Sequence, residues 1–553
     1  VSDVLAGIGL VAAAAASGAA ILLPPGRPRT LAMLAALVLF PLLILGDQWH
    51  SPLIADLRHH PARLVLAVVV GAIALGALTY IFRRCPILLP LAIVFALPFR
   101  IPLHGGGESA NLLIPLYLVI AGGVLATALR DWTPATAPRD RAQLPGGGAD
   151  LGDHPEQLPQ RRDGGAKSVT GPAGPLTIVL AATVVLYAVQ ALYSTDFSKG
   201  LQNVCFFLVP FTLAFALLQD VRWDRQLLRW VLILVGIEAA VFVLVGSVEY
   251  VGKSLFWNDQ IIRSNEFHTY FRVNSVFWDP NVYGRYLALV TVIATAALLW
   301  TRTRQTFWLL SGLVLVLWIG LVPTFSQSSF LALLAGLAVL AAIKWSWRWT
   351  LGVVAVGAIG AVLVVLLVGG SGKITPDRIN VDLSGRGSLI SGGVDLFAER
   401  PLQGYGSGSF QAAYRDHRAN KDAPVTVSHT EPVTVAAEQG LIGLTVYLAL
   451  IAVALWTLGR GLLVTASPAG GTVGGTMSEE ALATGRHGGS PTVTGPAGRA
   501  ARAAVLAAFV ALLVHTLAYA GFFEDPITWV LLAVGASLSP AAATGEPLVR
   551  RPT

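Results

Sequence analysis

The sequence predicts an all-α fold: a polytopic transmembrane helix bundle of about 14–15 spans, with a long extracytoplasmic loop containing short helices. Three observations predict it. Of 553 residues, 54% are hydrophobic and only 12% charged, whereas an ordinary soluble domain carries about 25% charged residues. The mean hydropathy is +0.67, too apolar for a water-exposed surface. Many apolar runs also reach the ~20 residues that cross the hydrocarbon core of a bilayer.

The runs fall at about residues 4–24, 30–46, 64–82, 86–99, 110–129, 175–193, 202–219, 226–247, 282–300, 306–323, 328–343, 350–369, 434–458, 502–520 and 526–540. Backbone groups in lipid must be satisfied internally, so each run is expected to be helical. The run at 86–99 is short and carries Pro86 and Pro90, which predicts a broken, re-entrant or tilted element. No basic segment precedes the first run, which therefore reads as a span and not as a cleaved signal peptide.

The basic residues give the orientation. Arg27 and Arg29, Arg83 and Arg84, the group from Arg130 to Lys167, Arg222 to Arg229, Arg302 and Arg304, Lys344 and Arg348, Arg460, and Arg550 and Arg551 share one side if fifteen spans alternate. The positive-inside rule makes that side cytoplasmic. The chain is thus expected to have its N-terminus outside and its C-terminus inside. The net charge of +7 is modest and sits in these short loops, which argues against nucleic acid as a partner. Cys85 and Cys205 lie at or inside apolar runs, with no disulfide framework and no Cys/His metal cluster.

These features divide the chain into N-terminal transmembrane helices (1–130), a linker (131–174), central helices (175–369) with an outer loop at 248–281, a long extracytoplasmic loop (370–433), a transmembrane helix (434–464), a second linker (465–501) and C-terminal helices (502–553). The linkers are Gly-rich and poor in large apolar residues. Each is expected to be cytoplasmic and disordered, because it cannot bury enough apolar surface to offset the entropy of ordering. Both end in the same string, Val169–Gly174 and Val493–Gly498, which reads as biased composition.

Polar residues of chemical interest gather on the predicted outer side. The first long loop ends in Arg272, Asn274, Phe277, Asp279, Pro280 and Asn281, a turn and helix opener, and Arg285 follows near the start of the next span. In the second loop, Leu389, Ile390, Val394, Leu396 and Phe397 are spaced to give a short helix one apolar face, suited to a membrane surface, a cavity roof or packing on the bundle. Ser384 to Gly387 form a flexible turn that presents Arg386. A glycine-rich turn at Gly404, Gly406 and Gly408 follows. His429 and Glu431 then precede the next span, and Glu438 lies seven residues beyond Glu431 on the same helical face. A carboxylate at the depth of Glu438 is costly in lipid and should face the bundle interior or water. Thr324, Gln327, Ser328 and Ser329 form a small polar mouth on the same side.

In order and spacing these residues resemble the O-antigen ligase / O-antigen polymerase superfamily of membrane glycosyltransferases. The best match is His429, a small polar residue at Thr430, nine further residues and then Gly440, with Gly443 and Leu444 beyond. Arg272 to Asn281 resembles the family's Arg…Phe…Pro-Asn segment. Ser384 to Arg386, followed by Leu402, Gly404 and Gly406, resembles its loop before the histidine. Gln327 stands where the family often has arginine, and Thr430 departs from its usual Asn, Ser or Gln.

The resemblance implies a GT-C-like bundle that transfers a glycan from a polyprenyl-diphosphate carrier, such as undecaprenyl diphosphate, to a lipid or glycan hydroxyl acceptor on the outer face. It implies His429 as the catalytic base, and Arg272, Arg285, Arg386, Asn281 and Glu438 at the substrate. Arginine suits a diphosphate because its guanidinium stays charged and binds phosphate oxygens bidentately. No cofactor is expected, and the absence of an outer DxD-like motif predicts metal independence. A lipid-linked glycan flippase or transporter is the main alternative. It would be expected to show inverted repeats and mid-membrane charge, which the sequence lacks. A scaffold for envelope synthesis is a third reading, and it would not need His429.

Overall fold

The computed structural model describes residues 2–105, 108–132, 174–256, 271–346, 386–417, 428–460 and 496–539, with isolated positions at 261, 262, 265, 348, 350–352 and 462. Both predicted linkers and the predicted span at 350–369 lie largely outside the described residues.

Among the described residues, eleven helices are long and apolar enough to cross a membrane. The N-terminal group comprises α1 (Ser2–Leu22), α2 (Arg27–Asp47), the short α3 (Pro52–His59), α4 (Pro61–Arg84), α5 (Leu88–Ala96) and α6 (Ile114–Trp132). The central group comprises α7 (Pro175–Ala191), α8 (Phe197–Asn203), α9 (Val209–Leu218), α10 (Arg225–Gly252), α11 (Pro280–Trp300), α12 (Arg304–Leu321) and α13 (Gln327–Lys344). Beyond it lie α14 (Arg386–Glu399), α15 (Phe410–Asp416), α16 (Glu431–Gly459), α17 (Pro496–Thr516) and α18 (Pro526–Leu538). The chain is a multi-pass membrane protein. Its outer wall fits that reading: α4 turns Val65, Leu66, Val68, Val70 and Ile73 outward, a continuous apolar face suited to lipid and not to water.

Apart from 350–369, the predicted apolar runs fall on helices, with one local revision. The run at 86–99 yields only the nine-residue α5 and then an antiparallel hairpin, β1 (Ile101–Gly105) with β2 (Glu108–Leu112), in register Ile101 opposite Leu112. The sequence reading placed no strand here. Pro98 and Pro102 stop helical propagation.

Proline also shapes the buried central helix. Helices α8 and α9 are joined by a π-helical segment, Val204–Leu208. Pro210 lacks the N–H that would bond to the carbonyl four residues back. That carbonyl, on Phe206, instead accepts a 2.8 Å hydrogen bond from the Tyr117 hydroxyl.

The arginine-rich turns meet at one end of the bundle. Arg29, Arg83, Arg130 and Arg222 line a single cavity there, as the alternation of spans requires. Residues 271–285 and 428–438 lie at the other ends of their helices.

Candidate active site

Helix α11 opens at Asp279, which accepts a 2.6 Å hydrogen bond from the Asn281 N–H, with Pro280 at the first helical position. Just before it, Arg272 donates through Nε to the Thr324 carbonyl (2.9 Å) and through Nη2 to Asn281 Oδ1 (3.1 Å). Arg272 and Asn281 are thus brought together, and they join the first outer loop to the polar turn before α13. In that turn Ser326 Oγ lies 2.8 Å from Ser329 Oγ, and Ser328 Oγ lies 3.1 Å from His515 Nε2. Gln327 is exposed. The loop is clamped from below by the buried Glu249, which accepts from the Ser275 N–H at 2.7 Å and the Asn274 N–H at 3.2 Å.

Arg285 does not reach up to the interface. It is buried, and its Nη2 lies 3.0 Å from Oδ2 of Asp525, which is also buried. Asp525 uses its other oxygen to cap α18, accepting from the Ile527 N–H at 2.9 Å. Asp525-Pro526 repeats the helix-opening signal of Asp279-Pro280 and was readable in the sequence by the same rule. Tyr519, in the turn before Asp525, lies within the fields of Asp279, Arg285, Arg100 and Glu524, and burial raises its phenol above the ordinary range. Arg100, His515, Asp525 and Glu249 are the site-end residues that sequence reasoning missed. All four take their meaning from partners far away in the chain.

The second half of the site is built on α16. Thr430 is the N-cap, and Glu431 accepts backbone hydrogen bonds from Gly521 (2.7 Å) and Phe522 (3.1 Å). Glu438 is buried, as predicted from its depth. Both its oxygens are used, Oε2 by the Gly408 N–H at 2.8 Å and Oε1 by the Phe410 N–H at 3.1 Å. Glu431 and Glu438 line one small cavity, about 60 Å³, with Lys199, Gln411 and Glu524.

Helix α16 is broken at Gly440, whose φ of 63° and ψ of −162° lie outside helical geometry. The glycine-rich turn fills the break. The Gly406 N–H donates to the Glu438 carbonyl (2.7 Å), the Tyr405 N–H to the Ala437 carbonyl (3.1 Å), and the Leu441 N–H to the Pro401 carbonyl (2.7 Å). Backbone groups freed by the kink are therefore satisfied, as burial demands. A Cβ on Gly440 would lie 2.3 Å from the Leu402 carbonyl oxygen, and one on Gly404 would lie 2.3 Å from that of Glu438. The spacing from His429 to Gly440 thus marks where the helix must break and where the loop must dock.

The helix predicted from Leu389 to Phe397 is α14. It packs on α16: Leu396 is buried with Phe410, Tyr414 and Ala437, while Ile390 and Val394 face outward. Arg386 is its first residue, and the Arg386 side chain lies outside the described residues.

His429 is half-buried and has a left-handed backbone, φ 63°. This conformation is uncommon for a residue with a Cβ and is characteristically found at functional positions. Ser428 holds the turn, its hydroxyl donating to the Thr430 carbonyl at 2.8 Å and accepting from the Thr430 N–H at 3.2 Å. Arg285 and Glu431, two residues beyond His429, are close enough for their charges to interact. The two halves of the site therefore meet at the 517–525 turn.

Residues 312–448 match the family model described as O-antigen ligase. That segment is similar to the O-antigen ligase family. The match begins within α12, spans the polar turn at 324–329 and the second long loop, and ends in α16 beyond His429, Glu438 and Gly440. Arg272, Asn281 and Arg285 precede the matched segment and Asp525 follows it; Arg272 reaches the segment at Thr324, and Asp525 holds Arg285. No curated protein matches the chain.

Proposed function

We propose that this protein is a membrane glycosyltransferase, moving a glycan from a polyprenyl-diphosphate carrier to a lipid or glycan hydroxyl on the outer face of the bacterial cytoplasmic membrane. The observation that carries this reading is the O-antigen ligase match across the strained His429 turn and the Gly440 break. In the reaction, the acceptor hydroxyl oxygen attacks the anomeric carbon and its proton passes to His429. The bond from that carbon to the diphosphate breaks, and polyprenyl diphosphate leaves with the electron pair. A neutral histidine suits the proton transfer.

Negative charge grows on the leaving diphosphate, so fixed guanidinium groups favour the transition state. Arg272, Arg386 and Arg100 are proposed for that contact. Arg272 also ties the first outer loop to the polar turn through Nε and Nη2. Asn281 orients Arg272. Arg285 and Glu438 reach the substrate region through the groups they hold: Arg285 supports the 517–525 turn through Asp525, and Glu438 supports the glycine-rich loop. In this reading no step needs a metal or cofactor.

The test is transfer in proteoliposomes supplied with a polyprenyl-diphosphate glycan and candidate acceptors. His429→Ala, inserted normally, is expected to lose at least about 100-fold in rate, the usual contribution of a positioned base. Undiminished transfer in this variant would sink the catalytic assignment. A flippase would instead move labelled lipid across the bilayer without transferring or lengthening its glycan.

A further inference from the structure

A cavity of about 850 Å³ lies at the arginine-rich end, away from His429. Its size is within the roughly 300–1,000 Å³ of cavities that enclose small ligands. It has two layers. Arg29, Arg130, Asp220 and Arg222 form a charged rim. About one helical turn deeper, Met33 lies below Arg29, Ala126 below Arg130 and Leu217 below Asp220, with Phe82 and Leu89 completing an apolar layer.

The acids of this cavity are already engaged. Asp220 pairs with Arg29, Asp131 accepts from the Thr30 hydroxyl, and Asp224 caps α10 by accepting from the Leu227 N–H at 2.8 Å. Arg29 is buried and also donates to the Ala216 carbonyl, but its Nε has no hydrogen-bond partner among the described residues. The exposed side chains of Arg130 and Arg222 make no hydrogen bond or ion pair among the described residues. The lining therefore holds four arginines against three aspartates, a net positive charge directly above apolar side chains and at the membrane surface. A soluble phosphate compound would satisfy only the rim. An anionic lipid would satisfy both layers, and basic pockets between transmembrane helices on the cytoplasmic side are known to hold lipid head groups.

We propose that this cavity is a binding site for an anionic phospholipid of the cytoplasmic leaflet, its phosphate held by Arg130 and Arg222 and its upper chains against Met33, Phe82 and Leu217. The site is independent of the glycan-transfer reading.

The experiment uses the full chain in detergent, equilibrated with equimolar phosphatidylglycerol and phosphatidylcholine, with bound lipid quantified by mass spectrometry. Phosphatidylglycerol is expected to be retained preferentially. Arg130→Gln and Arg222→Gln, both on exposed side chains, should each reduce that preference roughly fivefold, while Arg130→Lys and Arg222→Lys keep most of it. Millimolar glycerol phosphate should not displace the lipid. Equal retention of the two lipids, an unchanged preference in both glutamine variants, or displacement by glycerol phosphate would each overturn the proposal, the last assigning the rim to a soluble phosphate compound.

Discussion

Arg285 and Asp525 form a buried ion pair, 3.0 Å between Nη2 and Oδ2, that joins the start of α11 to the start of α18. Removing one partner of such a pair leaves an uncompensated buried charge, which costs about 3–5 kcal/mol. Asp525→Ala also removes the cap on the Ile527 N–H. This variant should therefore melt well below the native protein in detergent. Arg285→Met combined with Asp525→Asn should be less destabilised than the two single changes summed, because the charge is gone from both sides. Simple additivity in thermal-unfolding measurements would count against the pair as a structural tie.

Gly440 should not tolerate alanine. Its φ of 63° with ψ of −162° lies in a region essentially reserved for glycine, costing a residue with a Cβ about 1–3 kcal/mol, and the new Cβ would collide with the Leu402 carbonyl. Gly440→Ala is expected to release the 401–410 loop, seen as faster hydrogen exchange at Tyr405 and Gly406 and as lost transfer. Gly76→Ala provides the contrast. It lies in α4 with nothing within 4 Å of the added Cβ, and should leave stability unchanged or raise it by up to about 1 kcal/mol.

His429 separates stability from function. Glycine relieves the left-handed strain at φ 63° while removing the imidazole. His429→Gly should be no less stable to heat than the native protein, and transfer should fall as far as in His429→Ala. A large drop in melting temperature would mean that the side chain is held there for packing.

The loop beside the site has a pH-dependent contact. His417 Nε2 lies 2.9 Å from Glu399 Oε2, and Glu399 also accepts from the Tyr405 hydroxyl. The Ala413 carbonyl, and then Glu399, raise the His417 pKa above its ordinary 6.5. The Tyr405 hydrogen bond, with His417 assisting, lowers that of Glu399 below 4.5. The histidine's contribution is therefore complete below 6.5 and lost as pH rises through its higher folded value. The carboxylate's contribution is complete above 4.5 and lost as pH falls through its lower folded value. Hydrogen exchange at the end of α15, corrected for intrinsic rates, should quicken as pH rises above 6.5 and through the higher folded value of His417. Glu399→Gln should flatten most of that change, and an unaltered profile in this variant would rule out the pair as its origin.

The residues that face lipid were the most legible. Long apolar runs have one stable solution in a bilayer, so α1, α2, α10 and α16 were readable from composition and length. The short helix α14 was readable from apolar spacing, though not which of its apolar residues would be buried: Gly392 and Gly393 let α14 approach Tyr414 and Val433 closely, so Leu396 turns inward while Val394 does not. The β hairpin at 101–112 was missed because its signal is a stop to helix formation and not a strand pattern.

At the site, the sequence by itself determined which residue types stand at which end of the bundle. Positive charge in alternate turns set the two ends, and the spacing from His429 to Gly440 marked a stretch that the family match covers. Only the tertiary structure decided how those residues are used. Arg285 is held by Asp525, Glu438 by the N–H groups of Gly408 and Phe410, and Arg272 by Thr324 and Asn281. The reason is physical: periodicity reports which face of a helix is apolar, but a buried charge or broken backbone must be matched by whichever distant group packing brings within hydrogen-bond range.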